Sequence, residues 1–366
     1  MTIEQGIGMA LMMLFLADIF LTVLYARAGT GLLAPYWNRA VWASLRLLAS
    51  ISGKRGGTIL SLAGPLIIIL LIGFWSLGLT VGAALVIQPE LGTAIRPSTG
   101  STPTDFVTAL MVAGNSLSIV GGGDDTPHTS ATRLLFLLNS LIGASVLSLV
   151  LSYLVQVYSA LRERNALALA VDLMTDGTGD AAEALARLLP GGDGSSATSE
   201  IGNLARSLAA IKEAHHFYPL LFYFRFDEPR YSVSRLSFVI LDLTSLIDSA
   251  LDRGKYASLI DSTSLTSLRR AGLLLLQTLD RKFASVERRS GGAEDEWRYR
   301  QSYGAAVRTL TNAGITARPG GVERYVTNRR AWEPLIRHVA PALGDAMNQI
   351  DRRKPAPTHE LPAQQA

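Results

Sequence analysis

Three consecutive glycines about one third of the way along the chain are the residues best suited to do chemistry. Gly121–Gly123 follow a short apolar run and precede two acidic residues, Asp124 and Asp125. Glycine adopts positive φ at little cost, so successive backbone carbonyls in such a strand can point in one direction. Carbonyls arranged in this way can replace the water around a cation. We therefore predict an ion-coordinating strand here, with the two aspartates at its outer mouth.

The glycines lie between two long segments that carry no charged side chain, residues 56–89 and 134–161. Each is long enough to cross a bilayer, which takes about 20 apolar residues. The helix predicted between them begins with Thr104 as its N-cap and is too short to cross. Irregular backbone at membrane depth is tolerated only when it is buried in protein or lines a water-filled cavity. The order predicts a pore module at residues 56–161, made of an outer helix 57–88, a pore helix 104–116, a filter 118–124 and an inner helix 132–161.

The stretch from Ser118 to Asp124, SIVGGGD, resembles the filter signature of potassium channels, Thr-Thr-Val-Gly-Tyr-Gly-Asp. Thr126-Pro127 and Arg133 also match residue types that this family carries after its filter. The similarity extends over roughly residues 58–161, which is under a third of the chain. It implies a homotetramer, because one chain supplies only one filter strand. It also implies a passive pathway for a monovalent cation, with potassium as the first expectation.

The resemblance also implies which residues of the pore module have a role in conduction. Gly143 stands where the inner helices of this family often carry a hinge glycine, and on the sequence alone tight packing against a neighbouring helix is an equally good interpretation of it. The ion-binding residues that it implies are Ser118, Ile119, Val120, Gly121, Gly122 and Gly123.

Several residues depart from the family pattern around the filter. Ile119 replaces a threonine that helps to form the innermost ion site, and Gly122 replaces the filter tyrosine. Met111 and Val112 replace the aromatic residues that usually brace the filter, and Asn115 stands where some members carry a carboxylate. These departures imply a looser filter. They favour a pore architecture over strict selectivity for potassium.

The composition divides the chain of 366 residues into two unlike halves. Hydrophobic residues make up 48% and charged residues 17%, but the long uncharged runs precede Leu161 and most of the charge follows it. We therefore predict an all-α membrane protein with a soluble helical domain at residues 162–353. The net charge of +4 suits an anionic leaflet, and no nucleic-acid-binding module is recognised. The absence of cysteine excludes disulfides, cysteine-bound zinc and thiol catalysis.

The N-terminal segment, residues 1–26, predicts a further membrane helix. Its apolar run Gly6–Tyr25 is preceded by only one charge, Glu4, whereas a signal peptide begins with a basic region. Asp18 lies inside this run. An ionisable residue at such depth suggests a functional site. The alternative is a structural carboxylate that hydrogen-bonds to a neighbouring helix or lies near the inner headgroups.

A basic connector, residues 27–55, follows and carries no acidic residue. Trp37 and Trp42 lie among Leu and Ala at near-helical spacing, which favours a helix along a membrane surface over a polar loop. Cytoplasmic loops carry the excess of Lys and Arg. That rule places the connector and the C-terminal half in the cytoplasm and the N-terminus outside. With the family resemblance, it predicts a multi-pass protein of a bacterial inner membrane.

The C-terminal half shows apolar residues at three- and four-residue spacing, which predicts helices. The segment Phe217–Phe226 is too short to cross a membrane and is expected in a core. His215 and His216 point in different directions on a helix and make a weak metal site. No nucleotide-binding glycine motif is present, and residues 354–366 are expected to be disordered. The half resembles the helical tails of uncharacterised bacterial two-span ion channels, a resemblance that supplies no ligand.

Two other functions compete with the channel interpretation. The pore could be non-conducting, so that the chain is a membrane-anchored regulator or scaffold whose helical domain binds a protein partner. An enzyme is disfavoured, because no nucleophile–base set stands out and Asp124 and Asp125 have no basic partner in the sequence. No cofactor is expected apart from the permeant cation.

Overall fold

The computed structural model describes residues 2–25, 31–53, 56–118, 121, 123–283 and 293–353. The described chain is helical apart from short connections and two strands of two residues each, which confirms the predicted all-α class. It divides into two compact units. The first extends to Ser159 and includes Phe217–Leu220, and the second contains the remaining residues.

The first unit contains the apolar helices. They are α1 (Ile3–Ile19, continued by a π-helical turn Phe20–Leu24), α2 (Ala34–Ile51), α3 (Gly56–Ser61), α4 (Ala63–Ile87), α5 (Phe106–Leu117) and the part of α6 (Ser130–Met174) that precedes residue 160. Three stretches, Ile3–Leu24, Ala63–Glu90 and Ser130–Met174, are long and apolar enough to cross a membrane. The predicted combination of membrane-spanning helices and a helical soluble region is confirmed.

Small residues bring α1 and α4 together. A Cβ added to Gly78 would lie 2.1 Å from the Phe15 ring, and one added to Gly8 would lie 2.5 Å from the carbonyl oxygen of Gly82. These glycines therefore allow the two backbones to approach closely, as small residues do between membrane helices.

The helix bounds differ from the predicted ones at three points. The predicted outer helix is interrupted at Leu62, and Pro65 lies in the first turn of α4, where its missing N–H costs little. The predicted pore helix begins at Phe106, because Asp105 rather than Thr104 caps it. The predicted inner helix continues beyond 161 to Met174.

The only strands among the described residues are β1 (Ile95–Arg96) and β2 (Thr126–Pro127). They pair in antiparallel fashion, with Ile95 opposite Pro127. The ladder joins the loop before α5 to the loop after the glycines. It thereby holds both ends of the α5–glycine segment together.

The second unit is built around one helix. The helices that follow α6 are α7 (Ala181–Leu188), α8 (Ala197–Phe217), α9 (Val233–Ala250), α10 (Arg253–Ile260), α11 (Thr263–Phe283), α12 (Ala293–Asn312), α13 (Val322–Ala342) and α14 (Met347–Ile350). Every residue of α9 is buried, and α7, α11 and α13 pack against it. Of the segment Phe217–Phe226, which was predicted to lie in a core, Leu220–Phe224 is buried and Phe217 is exposed. The predicted disordered tail, 354–366, lies outside the described residues.

Candidate functional site

Helix α5 is held by a cap at one end and by α4 along its side. The Asp105 carboxylate accepts hydrogen bonds from the backbone N–H groups of Val107 and Thr108, which satisfies donors that a helix start leaves unpaired. Ala109 and Ala113 are fully buried in a cluster with residues of α4. With 12 residues, α5 is too short to cross a bilayer, and it lies in the chain between two helices that are long enough.

The predicted ion-binding strand follows α5 directly. Gly121 and Gly123 have φ values of +61° and +125°, a region that glycine adopts far more readily than other residues. Ser118 ends α5 as its C-cap in an extended conformation. A Cβ on Gly123 would lie 2.8 Å from the Asn115 side-chain nitrogen, so Asn115 packs behind this glycine. The other three predicted filter residues, Ile119, Val120 and Gly122, lie outside the described residues.

Helix α6 contacts the last turn of α5 at two buried points. The Asn139 side chain donates to the Ser116 hydroxyl at 2.9 Å, and that hydroxyl donates to the Ala113 carbonyl at 2.8 Å. One helical turn further, a Cβ added to Gly143 would lie 1.8 Å from the Leu117 carbonyl oxygen. Gly143, predicted as a gating hinge, lies in continuous helix here and makes a close backbone contact.

The two predicted mouth carboxylates have different surroundings. Asp125 is partly buried and accepts a 2.7 Å hydrogen bond from the Thr102 hydroxyl, while Asp124 is exposed. Nearby, His128 lies 3.1 Å from the Arg96 carbonyl oxygen through its Nε2 atom. The glycine segment is therefore followed by one braced carboxylate and one that faces solvent in the single chain.

Asp18 serves as a junction between three helices. Its carboxylate accepts hydrogen bonds from the backbone N–H groups of Leu33 and Ala34 at the start of α2, at 2.7 and 3.2 Å. It also accepts one from the Trp75 indole in α4, at 2.7 Å. Asp18 is fully buried. These contacts therefore support the structural interpretation of Asp18, as a carboxylate that hydrogen-bonds to neighbouring helices.

A buried ionic cluster in the second unit was not foreseen from the sequence. Asp242, in the middle of the buried helix α9, accepts hydrogen bonds from Arg329 at 2.9 Å, Arg353 at 2.6 Å and the Tyr325 hydroxyl at 2.6 Å. Burial alone would raise the pKa of Asp242. The two guanidinium groups and the hydroxyl outweigh it, and the pKa lies below its ordinary value.

Further charges extend this cluster. Glu333 pairs with Arg329 one turn earlier in α13, and burial raises the pKa of Glu333 above its ordinary value. Arg353 also pairs with Asp180, the N-cap of α7. The i, i+4 spacing of Tyr325, Arg329 and Glu333 could have predicted that these three side chains share one face of a helix. Nothing local in the sequence pointed from that face to Asp242.

The predicted weak metal pair is not assembled as a site. His215 is fully buried, and its Nδ1 atom donates to the Ile211 carbonyl at 2.9 Å. Burial, aided by the nearby charge of Arg164, lowers the pKa of His215 to about 3. Among the residues that the structure describes, no group of three or more His, Asp or Glu side chains could hold a metal ion.

The chain is similar to a membrane protein over about half of its length. No family model matches the chain, and no solved structure matches it. An uncharacterised membrane protein of Bacillus subtilis (strain 168), YdjJ, is 23% identical over 172 residues, which cover 47% of this chain. The match spans 49%, about half, of that relative's own length. This similarity and the apolar helices support membrane association.

Proposed function

We propose that this protein is the subunit of a cation channel in a bacterial inner membrane. The observation that carries the proposal is the position of α5. It is a capped helix too short to span, it lies in the chain between two potential membrane spans, and it ends in a segment with glycines at positive φ. Such an arrangement would bring backbone carbonyls to membrane depth, where irregular backbone must line a water-filled path or be buried.

In this proposal about four chains surround a common axis, and each contributes one glycine strand. Carbonyl oxygens from Ser118 to Gly123 replace the hydration shell of a monovalent cation. The C-terminal end of α5 carries the negative end of its dipole and favours a cation in front of it. Asp124, which is exposed in the single chain, would form part of an acidic ring that concentrates cations at the mouth.

Potassium is the proposed ion, on the resemblance of SIVGGGD to the potassium-channel signature. The two substituted positions, Ile119 and Gly122, suggest weak discrimination against sodium. The N-terminus would lie outside and the helical second unit in the cytoplasm, where it would bias the gate through the inner helix.

The direct test is ion flux into liposomes that contain the full-length protein, with potassium and sodium compared side by side. We expect Gly121→Asp to abolish flux, because a carboxylate would enter the path of the carbonyls. Gly314→Asp is the matched control. Gly314 also has positive φ, +75°, and open space around it, but it lies in the second unit. Equal flux from wild type and Gly121→Asp would contradict the proposal.

A second candidate is a non-conducting regulator anchored by the same helices. The altered filter sequence favours it, since Ile119 removes a hydroxyl and Gly122 removes an aromatic ring that the resembled family uses. Absence of flux from the folded wild-type assembly, with flux restored by Ile119→Thr and Gly122→Tyr together, would favour this alternative.

A further inference from the structure

Helix α2 presents three distinct faces, and one of them packs against other described residues of the first unit. The buried face contains Asn38, Trp42 and Ala49. Trp37, beside it, stacks on Phe74 of α4 with the ring centroids 4.4 Å apart. A Cβ added to Gly56, at the start of α3, would lie 2.6 Å from the Ala49 carbonyl oxygen. The helix is therefore fixed in orientation about its own axis.

The face opposite these contacts is apolar and exposed. Tyr36, Leu47 and Ile51 are 69%, 63% and 76% exposed. Their spacing matches the helical period, so they form one stripe along α2. Water is an unfavourable environment for a stripe of this kind, because each exposed apolar side chain forgoes the free energy of burial. Something apolar is therefore expected to cover it.

Two arginines lie along the edge of the apolar stripe. Arg39 and Arg46 are exposed and lie about two turns apart on the same side of α2. Residues 31–53 contain no aspartate or glutamate, so the described part of this connector is purely cationic. A second α2 helix would bring like charges together at this edge. A surface with an apolar interior and anionic groups at its boundary would match both the apolar stripe and the two arginines.

The chain fixes where α2 can lie. It follows the first potential membrane span and leads through α3 into the second. Its first turn is bound to both spans through Asp18, which accepts hydrogen bonds from Ala34 and from Trp75. The helix consequently begins beside the two potential membrane helices, at the end where α1 finishes and α4 starts.

We propose that α2 is a docking surface for the anionic leaflet of the bilayer. Arg39 and Arg46 bind phospholipid phosphates, and the Tyr36–Leu47–Ile51 stripe rests against acyl chains. This inference depends on the membrane location of the first unit and does not depend on ion conduction. It therefore stands or falls separately from the channel proposal.

The charge component is tested by native mass spectrometry of the detergent-purified full-length protein. Phosphatidylglycerol and phosphatidylcholine with identical acyl chains are titrated separately. We expect wild type to prefer phosphatidylglycerol. Arg39→Gln combined with Arg46→Gln should weaken phosphatidylglycerol binding about twenty-five-fold, about fivefold for each arginine, and leave phosphatidylcholine binding unchanged. The matched control, Arg206→Gln with Arg308→Gln, removes the same charge from α8 and α12. An unchanged affinity, or an equal loss in the control, would overturn the proposal.

The apolar component is tested with spin labels, for which the cysteine-free chain is well suited. A label at Leu47→Cys in phosphatidylglycerol bilayers should be more accessible to oxygen than to a water-soluble nickel complex. A label at Arg206→Cys should show the opposite preference. Nickel access at position 47 would mean that the stripe faces water. Protection from both reagents would mean that protein covers it, and either result would overturn the proposal.

Discussion

Gly143 of α6 lies directly against the carbonyl oxygen of Leu117, the last residue of α5. A Cβ at position 143 would come within 1.8 Å of that oxygen, and the obstacle is backbone rather than a movable side chain. Because Leu117 is followed by Ser118 and then the glycine segment, this contact fixes the distance between α6 and the proposed start of the filter. The glycine is thus a spacing element, whatever bending α6 undergoes.

We expect Gly143→Ala to force α5 and α6 apart. Overpacking costs about 1–3 kcal/mol, and an obstacle made of backbone places this case at the upper end, above the gain of about 1 kcal/mol from replacing glycine in a helix. The free energy of unfolding, measured by SDS titration in mixed micelles, should therefore fall. Gly73→Ala is the matched control, since a Cβ there meets no atom within 4 Å. Equal unfolding free energies for Gly143→Ala and Gly73→Ala would contradict the close contact between Gly143 and the Leu117 carbonyl oxygen.

Asp18 should resist even the smallest change of its carboxylate. Asn at this position keeps the shape but turns an N–H donor toward the donors of Leu33, Ala34 and Trp75. Since hydrogen bonds to a charged group are worth about 1.5–3 kcal/mol, we expect Asp18→Asn to lower the unfolding free energy by about that amount.

The same substitution at Asp105 provides the control for Asp18. Asp105 is an exposed N-cap, where Asn serves nearly as well as Asp, so Asp105→Asn should change stability by less than about 0.5 kcal/mol. A similar loss in both variants would show that the buried junction at Asp18 has no special importance.

The sequence predicted best what depends on neighbouring residues. The lengths of the apolar runs identified α1, α4 and α6, and the flanking turn residues identified α5. The cap of α5 shows the limit, since Thr104 and Asp105 are both good caps and the observed hydrogen bonds to Val107 and Thr108 decide between them. Contacts between residues far apart in the sequence could not be predicted from local sequence patterns. The Asp18–Trp75 bond and the pairing of Asp242 with Arg329 join helices far apart in the chain.

The cluster around Asp242 should be the most sensitive point of the second unit. Removing its charge leaves Arg329 and Arg353, which are both buried, without their shared counter-ion. Breaking one partner of a buried ion pair typically costs about 3–5 kcal/mol. We expect Asp242→Asn to lower the unfolding free energy by that amount, followed through tryptophan fluorescence, to which Trp332, in contact with Phe238 of α9, contributes.

Two comparisons test whether this loss comes from the pairing itself. Asp176→Asn removes the same charge from the exposed ion pair with Arg187 and should cost less than about 1 kcal/mol. Arg353→Gln should cost less in the Asp242→Asn background than in wild type, because one of the two carboxylates that Arg353 pairs with, Asp242, has already lost its charge, while Asp180 remains. Additive losses would show that Asp242 and Arg353 act independently.

His215 should make the stability of the second unit depend on pH in the acidic range. Burial lowers the pKa of His215 from 6.5 to about 3. Between these two pH values His215 is protonated in the unfolded chain and neutral in the folded chain. The unfolding free energy attributable to His215 therefore falls as the pH drops from about 6.5 toward 3, at up to about 1.4 kcal/mol for each pH unit. Between pH 7 and pH 5 this amounts to about 2 kcal/mol.

We expect His215→Asn, which retains a donor for the Ile211 carbonyl, to be less stable than wild type at pH 7 but to lose about 2 kcal/mol less on acidification. Phe222→Leu is the control, because it alters a ring that packs on His215 without removing a titrating group, and its pH slope should match that of wild type. Unfolding curves measured across this pH range would contradict the assignment if His215→Asn and wild type ran parallel.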